Sequence, residues 1–218
     1  MNDEELKELA RQLRCPDGEV GAQLGESMGK SNDGMIQASM VLLDLGRGRH
    51  VLELGHGACT HLSALLEMGT NLSYAGLEIS TVMYREAKRI AEPLSADHEV
   101  EFRVFDGVTI PFGDASFDRV LSVNTVYFWT PARAVMDEIS RVLTPGGVVV
   151  VSYVDKDFMK TLPFVDAGFT LYEDSEVQTL AEGSGLRVEA FHKRNEQAVS
   201  KHGDLVDRRY TIAELRKL

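Results

Sequence analysis

The chain has 218 residues, 44% of them hydrophobic, and carries 23 Lys and Arg against 34 Asp and Glu for a net charge of −11. That supports one full core, so a single α/β domain with an N-terminal extension is expected, and the composition argues against disorder. The acidic balance disfavours a nucleic-acid backbone or an anionic membrane as main partner, and no stretch reaches the roughly 20 apolar residues of a membrane span.

The first residues, MNDEELKELARQL, read as an acidic amphipathic helix rather than a signal peptide, which predicts a cytoplasmic protein. A glycine-rich segment follows from Cys15 to Gly34, and a helical pattern runs from Met35 to Leu45. Strands and helices then alternate: a strand at His50 to Leu54, a helix at His61 to Met68, a strand at Ser73 to Glu78, and a helix at Thr81 to Ala91 capped by Ser80. A third strand is expected at Val100 to Phe105 and a fourth at Arg119 to Val123, with a helix opened by Pro131 and reaching Val142. Thr144-Pro-Gly-Gly147 breaks the chain before a buried fifth strand, Val148 to Val151. A loop from Asp155 to Thr170, a helix from Ser175 to Gly183 and two strands, Arg187 to Lys193 and Asp207 to Ile212, joined by a polar hairpin, complete the chain. The fold class is therefore a doubly wound α/β sheet of seven strands, mostly parallel with an antiparallel edge hairpin and helices on both faces.

Cys15 and Cys59 form no disulfide framework and lack metal-ligand spacing, so free thiols are expected. The chemistry concentrates after the first strand, in VLELGHGACT from Val51 to Thr60. Gly55 and Gly57 allow positive φ and a close ligand, and the N–H groups at the start of the next helix can hold an anionic group. In a doubly wound sheet the ligand lies beyond the carboxyl ends of the strands. Those ends carry Glu53, Glu78, Asp106 with Gly107, and Asn124. Glu78 can accept from both hydroxyls of a ribose, and Asp106 can accept from the exocyclic amine of adenine.

A dinucleotide would set an anionic pyrophosphate over the turn, where Glu53 repels it, whereas S-adenosylmethionine brings an ammonium and a sulfonium that a carboxylate attracts. The dinucleotide fingerprint also wants a third glycine where this chain has Thr60. Glu53 thus favours S-adenosylmethionine.

On these residues the chain resembles the class I S-adenosylmethionine-dependent methyltransferases, in particular the Rossmann-like ubiquinone and menaquinone biosynthesis branch (methyltransferase type 11). The resemblance runs from about Met35 to Leu186 and rests on VLELGHG, YAGLEIS, FDGVTIPFGDASFDRVLSVNTVYF and ISRVLTPGGVVVVS. It implies that residues 1–34 form an N-terminal helix and lid segment and residues 35–218 the methyltransferase domain. It also implies that Glu53, Gly55, His56 and Gly57 surround the methionine portion, Glu78 holds the ribose, Ile79 and Met83 flank the adenine, and Asp106 and Gly107 meet it. Cys59 stands where the family often has a third glycine. Met28, Ser31 and Asn32 are lid contacts by the same resemblance.

Asn124 and Tyr127 are the candidate catalytic residues, Asn124 also contacting the cofactor, because the family's acceptor pocket begins after the fourth strand; Phe128 and Trp129 either line it or anchor the helix at Pro131. No base announces itself, so catalysis by alignment of a small-molecule acceptor is expected, with no metal. Two other readings stand beside this one: an NAD(P)-dependent oxidoreductase, and a non-catalytic S-adenosylmethionine-binding partner subunit. A homodimer is compatible with the sequence.

Overall fold

In the computed structural model, which describes residues 1–94, 98–199 and 205–218, the chain order is α1 (Asp3–Arg14), α2 (Gly18–Val41), β1 (His50–Leu54), α3 (Leu62–Glu67), β2 (Ser73–Glu78), α4 (Thr81–Ala91), β3 (Glu99–Val104) and β4 (Phe117–Val123). It continues through α5 (Ala132–Val142), β5 (Leu143–Val154), α6 (Lys156–Met159), α7 (Asp174–Gly183), β6 (Leu186–Val199) and β7 (Leu205–Lys217). One seven-stranded sheet has the order β3-β2-β1-β4-β5-β7-β6. The first five strands run parallel, while β7 is antiparallel to both β5 and β6. The strand order reverses between β1 and β4, so their carboxyl ends open on one crevice.

Local chemistry explains the elements that position this crevice. In β1 every residue from Val51 to Leu54 is buried, as a strand covered on both faces requires. Ser80 ends the loop after β2 by accepting from Met83 N at 3.1 Å, which caps α4. On α5, Val135, Met136, Ile139 and Val142 recur on one face and are wholly buried.

Three expectations are corrected. The glycine-rich segment before Met35 is helical, and α2 runs unbroken across positions 34 and 35. Its glycines do not make turns; they let neighbours approach. Gly21, Gly25 and Gly29 recur every four residues on one face. A Cβ on Gly25 would collide with the Met83 sulfur, and one on Gly34 would collide with the Glu196 carboxylate. Second, Thr144-Pro-Gly-Gly147 lies inside β5: Phe117 faces Leu143 and Arg119 faces Val148, so residues 144–147 bulge from the ladder around Gly146 at φ +75°. Third, the loop from Asp155 to Thr170 contains α6 and a short 3₁₀ turn, Val165–Ala167.

The two closing strands are longer than their hydrophobic stretches suggested. β5 pairs with β7 only as far as Val154 and Tyr210, while β6 and β7 stay paired from Asn195 with Arg209 to Val199 with Leu205, so the hairpin projects past the end of β5. The middle of the expected polar connection, residues 200–204, lies outside the described residues. Among the described residues no helix is long and apolar enough to cross a membrane.

Because β7 is interior to the sheet and Leu215 is wholly buried, Leu215→Ala should destabilise the protein by about 2–5 kcal/mol. Leu205→Ser, at a position 69% exposed on the same strand, should stay within about 0.5 kcal/mol. Urea unfolding monitored by circular dichroism reads both, and equal effects would contradict this placement of β7.

Candidate active site

A cavity of about 330 Å³ lies at the carboxyl ends of β1, β2 and β4, under α2. It gathers the sequence-derived site residues: Glu53, Gly55, His56 and Gly57 from the first turn, Glu78, Ile79 and Met83 from the second, Asp106 and Gly107 from the third, and Asn124 and Tyr127 from the fourth. Its other end is walled by Phe128, Trp129, Phe158, Phe164 and Phe169.

The turn after β1 is held in left-handed backbone at Gly55 (φ +72°), Gly57 (φ +55°) and Cys59 (φ +53°). A Cβ on Gly55 would strike the Thr125 methyl, whereas one on Gly57 would meet nothing within 4 Å. The Gly57 backbone therefore leaves space over the turn for a ligand. Cys59 holds a conformation that glycine adopts without strain.

Glu78 is buried and accepts three backbone N–H groups, from Ile79 (2.8 Å) and Ser80 (2.9 Å) on Oε1 and from Gly57 (3.0 Å) on Oε2. Burial raises its carboxyl, only partly offset by these bonds. A carboxylate has about four acceptor positions, so the Oε2 side retains capacity for a hydroxyl donor. Asp106 is exposed, and its Oδ1 accepts from Val108 N (2.8 Å) and Thr109 N (2.7 Å), which hold its carboxyl below the usual range. Gly107 sits at φ +88°, and a Cβ there would touch the Ile79 side chain at 3.4 Å, so the two residues lie side by side at the cavity.

Glu53 is 2% exposed, and its Oε2 accepts from Tyr74 Oη (2.6 Å) and His61 Nε2 (2.9 Å). Since Tyr74 gives its one proton to Glu53, its oxygen accepts from the Cys59 thiol at 3.1 Å. Burial by itself would raise the Glu53 carboxyl, but the His61 charge and the two bonds outweigh it and hold it low. His61 is correspondingly raised, Glu53 overcoming the cost of its own burial. Burial likewise drives the Cys59 thiol well above its ordinary value, so it stays protonated. Glu53, Cys59 and His61 bring ligand-type atoms within 4.8 Å of one another, and the hydrogen-bond chain accounts for that cluster.

His56 is also buried, which lowers it to about 4 and leaves it neutral near pH 7. Its Nδ1 donates to Gly57 O at 2.7 Å, while Nε2 has no partner. Tyr127 is 2% exposed and its oxygen accepts from Val154 N, so the ring braces β5 against the turn after β4. That hydroxyl is held high by burial, which unsuits it as a base.

Sequence reasoning missed His61, Tyr74 and Arg208. The first two answer Glu53 across sequence distance, and Arg208 reaches the cavity from the projecting hairpin.

A family model described as a methyltransferase domain matches residues 52–151. A demethylmenaquinone methyltransferase of Clavibacter sepedonicus is 30% identical over 149 residues, covering 68% of this chain and 58% of that protein. The O-methyltransferase resE of Aspergillus sclerotiorum is 25% identical over 174 residues, covering 76% of this chain and 65% of its own. The chain thus spans less than two thirds of either relative. A structure of geranyl diphosphate methyltransferase in complex with GPP and sinefungin superimposes with a TM-score of 0.71 at 13% identity, over 85% of this chain and 78% of that one, which is a likeness of fold.

The His61–Glu53 pair sets a pH dependence. His61 is raised, so its contribution is whole below about pH 6.5 and is lost as pH rises through the raised value; Glu53 is lowered, so its contribution is whole above about pH 4.5 and is lost on acidification. His61→Gln should therefore destabilise by about 3–5 kcal/mol near pH 6 and by clearly less near pH 9. Urea midpoints of both proteins at the two pH values decide this, and the same loss at each would mean that the charge on His61 does not change between them.

Proposed function

We propose that this chain, whose residues 52–151 match the methyltransferase domain model, is an S-adenosylmethionine-dependent methyltransferase acting on a small, apolar acceptor. One observation carries the reading: a single cavity has Glu53, Glu78 and Asp106 on neighbouring strand ends around an open glycine turn, and an aromatic wall opposite. A demethylmenaquinone methyltransferase and an O-methyltransferase among the relatives support a small-molecule acceptor. The free thiols Cys15 and Cys59 agree with a cytoplasmic setting.

The dinucleotide alternative is opposed by a specific bond. A pyrophosphate over the turn needs its backbone donors, and the Gly57 N–H is already given to the Glu78 carboxylate, itself a charge that repels phosphate.

In this reading Glu78 Oε2 accepts from a ribose hydroxyl, Ile79 and Gly107 face the adenine, and Asp106 Oδ2 accepts from its amine. Glu53 Oε1, which neither Tyr74 nor His61 engages, accepts from the ammonium of the methionine portion. S-adenosylmethionine supplies a methyl group already activated by a cationic sulfur. The chain's task is to hold the acceptor in line and exclude water, and such positioning contributes about 7–11 kcal/mol. Among the described residues the wall at the aromatic end is formed by Phe128, Phe158, Phe164 and Phe169, and in this reading the acceptor nucleophile is used without a dedicated side-chain base.

Calorimetry with S-adenosylhomocysteine tests the reading. Micromolar binding is expected, with none for NAD or NADP, and Glu78→Ala should weaken it at least tenfold. The reverse ligand preference would sink the proposal, and unchanged affinity in Glu78→Ala would remove its ribose role. Transfer of labelled methyl to a compound in a metabolite extract separates the enzyme from a non-catalytic binding subunit.

A further inference from the structure

Asn124 follows β4 in left-handed backbone (φ +61°), lines the cavity, and carries a buried side-chain oxygen without a hydrogen-bond partner. A buried unsatisfied acceptor costs about 1–3 kcal/mol, and an ordinary asparagine would relieve it by turning its amide over. Here it cannot do so profitably. Its Nδ2 donates to Asn32 Oδ1 at 3.4 Å, and that same oxygen accepts from Arg208 Nη1 at 3.0 Å. Arginine only donates, so the Asn32 atom it meets must be the oxygen, and the Asn124 atom facing that oxygen must be the amide nitrogen. Arg208 is itself fixed, 7% exposed, by the Glu196 carboxylate (2.9 Å from Nε) and by the Ser31 carbonyl (2.6 Å from Nη2). The chain Glu196–Arg208–Asn32–Asn124 therefore runs from the projecting hairpin through α2 to the cavity, and it sets Asn124 Oδ1 as an acceptor only.

Asn124 lies between the two halves of the cavity. Its neighbour Thr125 packs on Gly55 of the turn, and the aromatic wall begins at Phe128. A neutral donor suits Oδ1 better than the cofactor ammonium, because the Arg208 guanidinium stands one residue behind it while Glu53 offers a carboxylate at the end of β1.

Building on the methyltransferase reading, we propose that Asn124 Oδ1 selects a flat, apolar methyl acceptor bearing an O–H or N–H at its reacting end, and that Asn32 and Arg208 are positioning residues that hold the amide in this sense. Asn124 takes a hydrogen bond, not the proton; it turns the donor atom's lone pair toward the methyl carbon. That pair forms the new bond as the carbon–sulfur bond breaks with its electrons going to sulfur, and the proton, made acidic by methylation, is lost to water as the product leaves.

The test uses full-length protein saturated with S-adenosylhomocysteine and two probes of nearly equal size, 1-naphthol and 1-fluoronaphthalene, of which only the first can donate. Wild type should bind 1-naphthol at least tenfold more tightly. Asn124→Leu should bring the ratio within twofold. Asn32→Ala should do the same by freeing the amide, and Asn32→Asp, which keeps an acceptor for Arg208 and Asn124, should restore the preference. A role confined to structure would shift the melting temperature and leave the ratio alone. Absence of a naphthol preference in wild type, or its survival in Asn124→Leu, overturns the inference while leaving the cofactor reading standing. A tenfold loss of S-adenosylhomocysteine affinity in Asn124→Leu with the ratio intact assigns Oδ1 to the cofactor and also overturns it. Failure of wild type to bind S-adenosylhomocysteine removes the underlying reading, and this inference with it.

Discussion

Glu53 is a carboxylate buried at the end of an interior strand, and a charge in that place persists only if several partners meet it. His61 comes from the start of α3, one residue before its first helical position, and Tyr74 from β2, so satisfying one carboxylate ties three consecutive elements together. Cys59 then follows as the donor to the tyrosine oxygen, in a backbone conformation that costs an L-residue about 1 kcal/mol or more. The left-handed turn and its charge support are one construction. Glu78 completes it from the next strand by binding the Gly57 N–H, which fixes the ledge over which a ligand lies.

This construction changes the electrostatic argument for the cofactor. From sequence alone Glu53 counts as a full negative charge at the turn. In the fold His61 neutralises much of it, and discrimination against a pyrophosphate passes to Glu78, whose hold on Gly57 takes the donor a phosphate requires. The conclusion is the same and the responsible residue is different.

The doubly wound order was legible because β1 and β2 are short, largely apolar runs with an acid at or next to the last residue and Asn124 follows β4, so these groups could be placed on one crevice by topology alone. The helix under residues 18–34 was not legible. Glycine weighs against helix in local propensity, and its reason for being there, the approach of Met83 and Glu196, lies in residues far along the chain. The same holds for His61, Tyr74 and Arg208. Each acts through a partner whose position depends on the assembled sheet, so composition and spacing carry no signal for it. Tyr127 illustrates the converse: it was correctly placed on the cavity, but its hydroxyl serves the Val154 backbone.

The division between legible and hidden residues coincides with a division of labour. Residues 52–151, where the family model matches, supply the acids, the glycine turn, Asn124 and Tyr127. The rest of the cavity comes from outside that range: Met28, Ser31 and Asn32 on α2, Phe158 to Phe169 after β5, and Arg208 on the hairpin. The likeness to the methyltransferase domain model therefore bears mainly on the acids and the glycine turn, whereas the far wall joins Phe128 and Trp129 from that range to segments outside it. Its shape also depends on a contact between the two most distant of them, since Gly34 leaves room for Glu196 and Glu196 holds Arg208 against α2. A hairpin longer than the sheet needs, gripping α2 at Ser31, Asn32 and Gly34, is hard to account for by sheet stability alone. On the proposed function it follows from the need for a rigid wall, since alignment of the acceptor is the catalytic device which that reading assigns to the site.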